Sequence, residues 1–156
     1  MIKLVRVDHR LLHGQVAFTW TSAINADCIL IANDAVPKDD LRKTSLKLAK
    51  PTGVKLVMKS VEDSIDAINS GVTDKYKLMI ITESIKDVKK LADGCPSIKS
   101  INLGGTKAKE NTKSISKAMN VTEEEIQMLH ELIDRGVEVE IRMTSNEKKI
   151  LAKTVI

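Results

Sequence analysis

The sequence predicts a three-layer α/β fold, an open and mainly parallel β-sheet with helices on both faces. Apolar runs of strand length alternate with amphipathic helical patterns from one end of the 156 residues to the other. Strands separated by helices pair in parallel, and each face of such a sheet is then covered by crossover helices. No Pro/Gly/Ser-rich linker, repeat or low-complexity stretch divides residues 1–156, so one domain is expected.

The first strand is expected at residues 2–7, where Ile2, Leu4, Val5 and Val7 make an apolar stretch. The polar cluster Asp8, His9, Arg10 interrupts it, and Val16, Ala17, Trp20 and Ala23 then recur at helical spacing, which predicts a helix over 15–23. Further strands are predicted at 28–32, 54–58, 78–82, 98–103 and 137–143, with helices at 39–49, 61–69, 85–92 and 123–135. Three of these helices open on a hydroxyl residue followed three positions later by an acid: Ser60 with Asp63, Ser84 with Asp87, and most clearly Thr122 with Glu125. Residues 106–121 break the alternation and are expected to hold a loop with a short strand near 115–119. The tail, 146–156, carries Ile150, Leu151, Val155 and Ile156 and reads as either a short helix or a strand.

Composition excludes several function classes. No apolar run approaches the ~20 residues that cross a bilayer, and the start lacks the uninterrupted apolar core of a secretory signal, so the expected location is cytoplasmic. Cys28 and Cys95 stand far apart, without zinc or redox spacing, and are expected as reduced thiols. The net charge of +4 comes from lysines scattered among nearly as many carboxylates. With Phe18, Trp20 and Tyr76 as the only aromatics there is no base-stacking platform for nucleic acid. GxGxxG, P-loop and HExxH motifs are absent, which weakens dinucleotide, nucleotide and zinc-hydrolase readings.

In doubly wound sheets, ligands bind outside the carboxyl ends of the strands. That rule gathers Asp8, Arg10 and His13 after the first strand, Asn33 and Asp34 after the second, Thr82 and Glu83 after the fourth, and Gly104, Gly105 and Thr106 after the fifth. His13, followed by Gly14 and Gln15 at the start of a helix, is the best nucleophile among them. A neutral imidazole accepts a phosphoryl group at cytoplasmic pH, and unpaired amides at a helix N-terminus hold phosphoryl oxygens. Arg10 would supply a fixed charge to the same oxygens, and Asp8 would either accept an imidazole N–H or hold Arg10. Phosphoryl transfer rests on positioning and electrostatics, so this set suffices without a metal or other cofactor. Asn102 with Gly104 and Gly105 reads as a phosphate-cradling turn or as a tight turn of positive φ. His9, between Asp8 and Arg10, is expected to point away from their target, and His130 to lie at the edge of a packed helix face.

RVDHRLLHGQV at 6–16 resembles the signature loop of the IIB component of the mannose/fructose/sorbose class of the bacterial sugar phosphotransferase system (PTS). The likeness continues through INLGG at 101–105 and RGVEVEIRM at 135–143. The resemblance implies a phosphocarrier in which His13 takes a phosphoryl group from a phosphohistidine of the IIA component. It then passes the group to a sugar imported through membrane subunits IIC and IID. It also implies that Arg10 lies beside the phosphohistidine, and that this chain, with no IIA domain before it, is a stand-alone IIB subunit. A nucleotide-sensing or regulatory module on the same fold is the alternative. A phospho-aspartate receiver would need a carboxylate where the third strand ends, and Met58, Lys59, Ser60 supply none.

Overall fold

The computed structural model describes residues 1–156. The apolar runs become β1 (Ile2–Asp8), β2 (Cys28–Ala32), β3 (Lys55–Lys59), β4 (Leu78–Thr82), β5 (Ser100–Gly105), the short pair β6 (Lys113–Ser114) and β7 (Asn120–Val121), then β8 (Glu138–Ile141) and β9 (Ile150–Leu151). The amphipathic segments become α1 (Gly14–Ile24), α2 (Asp40–Ala49), α3 (Val61–Asn69), α4 (Ile85–Gly94) and α5 (Glu123–Asp134). Seven strands form one sheet in the order β3-β2-β4-β1-β5-β8-β9, parallel throughout except for the β8–β9 pair. β1 therefore lies in the interior of the sheet, between β4 and β5.

Successive side chains on a strand face opposite ways, and the core divides accordingly. Leu30, Leu78, Ile80, Val5 and Val7 pack with residues of α3, α4 and α5. Ile29, Ile31, Met79 and Ile81 pack with Ala17, Trp20 and Leu46 of α1 and α2. Arg6 and Asp8, out of phase with Val5 and Val7, share the α1–α2 side with Leu4. Cys28 and Cys95 are buried free thiols.

Helix starts follow the sequence signals. Ser60 and Ser84 each accept from the amide three residues on, at 3.0 and 3.1 Å. Thr122 and Glu125 form the full reciprocal box, each side chain accepting from the other's backbone amide at 3.0 and 2.9 Å. Thr122→Ala removes one of these bonds and strands an amide, so it is expected to cost about 1 kcal/mol, read as a lowered urea midpoint.

Several predicted boundaries are corrected. The fifth strand starts two residues later than expected, because Ile98 closes a turn onto the Cys95 carbonyl at 3.0 Å, and it runs on through Gly104 and Gly105. The glycine pair is thus strand, not a turn after it, and neither glycine has a positive φ. The stretch near 115–119 is the bend of the β6–β7 ribbon rather than a strand. Thr106 fastens that ribbon, its amide donating to Ala118 O at 2.9 Å and its hydroxyl to Asn120 O at 2.6 Å. β8 stops at Ile141, short of the expected 143, because the Arg142 and Met143 carbonyls turn to the Arg6 guanidinium. Both readings of the tail are realised in part: β9 is followed by a 3₁₀ turn at Ala152–Thr154.

Candidate active site at the end of the first strand

Beyond Asp8 the chain turns sharply, with the Leu11 amide donating to the Asp8 carbonyl at 2.9 Å. Leu11 adopts a positive φ of 58°, a conformation costly for a bulky side chain. Leu11 and Leu12 are both buried in the α1–α2 core, and that burial holds the strained turn in place. Gly14 follows at φ 43°, in the region that favours glycine.

His13 is the N-cap of α1, in extended conformation, and its side chain makes no capping bond. The first helical amides, those of Gly14, Gln15 and Val16, accordingly have no intrahelical acceptor. The imidazole instead meets Asp8 Oδ2 through Nε2 at 2.9 Å. An ionised carboxylate only accepts, so Nε2 carries a proton, and in the neutral ring the lone pair is then on Nδ1. Asp8 does more than the sequence suggests: Oδ1 accepts from the Arg10 amide at 3.0 Å, and Oδ2 also takes Arg6 Nη2 at 3.1 Å. It therefore holds the imidazole and the backbone of Arg10, while the Arg10 side chain stands exposed.

Burial pushes the Asp8 carboxyl up, but the His13 bond, the Arg10 amide and the Arg6 charge outweigh it and hold it below its ordinary value. A carboxyl lowered on folding stabilises the fold above its unfolded value, ~3.9, and loses that contribution as pH falls through the lower folded value. The stability difference between the wild type and Asp8→Asn is thus expected to be largest near neutrality and to shrink below about pH 4. Urea titrations at a series of pH values measure it, and a difference that grew on acidification would contradict the sign.

Other expected site residues sit elsewhere or are otherwise engaged. Asn33 Oδ1 accepts from the Ala35 and Val36 amides and its Nδ2 donates to Glu83, which also pairs with Arg42. Asp34 accepts from the Val61 amide and so helps to start α3. Gly14 and Gln15 line a groove with Phe18 and Lys50. Thr106 borders a polar cleft of about 530 Å³ between α4 and α5, together with His9, Ser84, Lys107 and Asn120; neither His13 nor Arg10 lines it. Burial and the positive charges of Arg10 and Lys107 push His9 below its usual value, against the opposing effect of Asp8. Gly104 and Gly105 lie within β5 rather than in a turn after it. A Cβ at Gly104 would lie 2.1 Å from Arg6 Cζ, so its missing side chain is room for an arginine.

Arg6, Asn102 and Glu140 are the site residues that the sequence reading does not rank for this role. They stand in register on three neighbouring parallel strands, all nearly fully buried, and Asn102 links the other two at 2.6 and 3.1 Å. The available signal was a charged or amide residue between apolar neighbours in each strand: Arg6 between Val5 and Val7, Asn102 between Ile101 and Leu103, Glu140 between Val139 and Ile141.

A family model described as PTS system sorbose subfamily IIB component matches residues 2–156. The PTS system sorbose-specific EIIB component of Lacticaseibacillus casei is 36% identical over 155 residues, 98% of this chain and 94% of that protein. The PTS system mannose-specific EIIAB component of Escherichia coli (strain K12) is 33% identical over 150 residues, 96% of this chain but 46% of that longer protein. Among solved structures, the IIBSor domain of the sorbose permease from Klebsiella pneumoniae superposes with a TM-score of 0.90 at 29% identity, covering 96% of this chain and 92% of that one. With the family match running from residue 2 to 156 and relatives above 30% identity along nearly the whole length, this chain belongs to the PTS sorbose-subfamily IIB components.

Proposed function

We propose that the protein is a cytoplasmic phosphocarrier in which His13 Nδ1 takes a phosphoryl group from a phosphohistidine of a IIA component. It then gives the group to a sugar entering through membrane IIC and IID subunits. The observation that carries the reading is the Asp8–His13 pair at the start of α1: Nε2 donates to a carboxylate at 2.9 Å, and Nδ1 makes no hydrogen bond. The Nδ1 lone pair attacks phosphorus as the donor's N–P bond breaks, and the donor imidazole leaves with the bonding pair. The amides of Gly14, Gln15 and Val16 and the exposed Arg10 guanidinium are suited to receive the phosphoryl oxygens. Positive charge develops on the His13 ring as the bond forms, and the Asp8 carboxylate at Nε2 offsets it. In the second step a sugar hydroxyl oxygen attacks phosphorus, its proton departs to a base, and the His13 N–P bond breaks.

The fusion of A and B components in the mannose-specific EIIAB relative supports a IIA partner. The experiment is incubation with phosphorylated IIA. The expected product carries one acid-labile, alkali-stable phosphoryl group on His13, with phosphorus NMR placing it on Nδ1. A label on Nε2 would overturn the nitrogen assignment. Binding of a nucleotide without any covalent label would favour the sensor alternative.

A further inference from the structure

A buried cation lies directly behind the His13–Asp8 pair. Arg6, in the middle of β1, is 1% exposed. Nη1 donates to Asn102 Oδ1 at 2.6 Å and to the Arg142 carbonyl at 3.2 Å; Nη2 donates to the Met143 carbonyl at 2.9 Å and to Asp8 Oδ2 at 3.1 Å. The Trp20 ring, 5.5 Å from Cζ, lies against the guanidinium, and the missing Cβ of Gly104 leaves it room. Four parts of the fold, namely β1, β5, α1 and the segment after β8, thus meet on this one side chain.

We infer that Arg6 is a positioning residue for phosphoryl transfer at His13, acting through Asp8; this rests on the phosphocarrier reading above. Burying an ion pair is weak support for a fold, since an apolar group of similar volume often does as well, so the placement calls for a reason beyond stability. The geometry supplies one. Asp8 Oδ2 is the oxygen that receives both Arg6 Nη2 and His13 Nε2, and Oδ1 is held by the Arg10 amide. With both oxygens held, the carboxylate cannot rotate, and the imidazole is kept with its proton on Nε2 and Nδ1 facing outward. Remove the guanidinium fork and Asp8 keeps its burial but loses its charge partner. A neutral Asp8 would then offer an O–H to His13, and the ring could keep its lone pair on Nε2 and its proton on the nitrogen that must attack.

Two variants test this. Arg6→Gln removes the charge behind Asp8 while keeping amide hydrogen-bonding capacity, and Asn102→Ser loosens the seat while leaving the arginine in place. Nitrogen NMR of the His13 ring reports its tautomer in the protein alone, with no phosphodonor present, so this arm stands whether or not the phosphocarrier reading survives. The second arm is the rate of phosphoryl acceptance from phosphorylated IIA as a function of pH, corrected for the folded fraction. Arg6→Gln is expected to raise the population of the Nδ1–H tautomer, move the acid limb of the profile to higher pH and slow transfer by about tenfold or more. Asn102→Ser is expected to shift both readouts in the same direction by less. A merely structural role moves neither readout in the folded protein. A wild-type tautomer balance and pH profile in either variant that folds would therefore overturn the inference; if neither variant folds, Asp8→Asn with a wild-type tautomer balance does so, because Asp8 is then not what sets it. Absence of label in the wild type itself would sink the phosphocarrier reading and leave the tautomer result standing.

Discussion

His13→Ala is expected to take no label from phosphorylated IIA, while the folded protein remains close to wild type in stability. The loss is complete because no other imidazole can substitute. His9 lines a different cleft from the α1 amides and makes no bond to Asp8, and His130 lies far along the chain on α5. The fold survives because the imidazole is partly exposed and Asp8 keeps its other donors, Arg6 Nη2 and the Arg10 amide. A buried carboxylate that retains a charged partner and an amide avoids the large penalty of an unpaired charge. Radiolabelled phosphate transferred through IIA, followed by gel separation, measures the first part; urea denaturation measures the second. Labelling retained in His13→Ala would end the mechanism proposed for this site. Loss of the fold would show instead that His13 is structural, and would leave its chemistry open to the nitrogen NMR described above.

The alternation of strands and helices was legible because burial on both faces of a parallel sheet writes nearly continuous apolar runs. Such runs are hard to confuse when capping signals separate them. β2, α3 and β4 match their expected bounds residue for residue. The Asp8–His13 geometry was legible only as a choice, since spacing cannot decide whether a carboxylate meets a neighbouring imidazole or a neighbouring guanidinium. The rest of the site was hidden for a different reason. Arg6, Asn102 and Glu140 meet only when β1, β5 and β8 pair in parallel register, and register is a tertiary fact. A strand-end rule also collects residues by where their strands stop, not by where their side chains go. Asn33 and Asp34 were therefore gathered with His13 although their side chains start the next turn and helix.

The glycine pair offers the sharpest stability test, because two adjacent residues of one type carry opposite expectations. A methyl at Gly104 would meet Arg6 Cζ, Nη2 and Nη1 at 2.1, 2.3 and 2.5 Å, so the guanidinium must move. Its whole seat is built from Asp8, Asn102 and two carbonyls. Displacing a buried charge from its partners costs about 3–5 kcal/mol, a large share of the ~5–15 kcal/mol that holds a domain together. At roughly 2–4 °C per kcal/mol for a chain of this size, Gly104→Ala is expected to lower Tm by about 10 °C. A methyl at Gly105 meets nothing nearer than His9 Cδ2 at 3.8 Å, an ordinary contact, and the backbone there has no positive φ. Gly105→Ala also narrows the unfolded ensemble, so its expected effect is neutral to stabilising by up to about 1 kcal/mol. Equal costs at the two positions would mean that Gly104 is not the place vacated for Arg6. A large cost at 104 alone ties the first glycine of the pair to the arginine behind the His13–Asp8 pair and leaves the second with no such constraint.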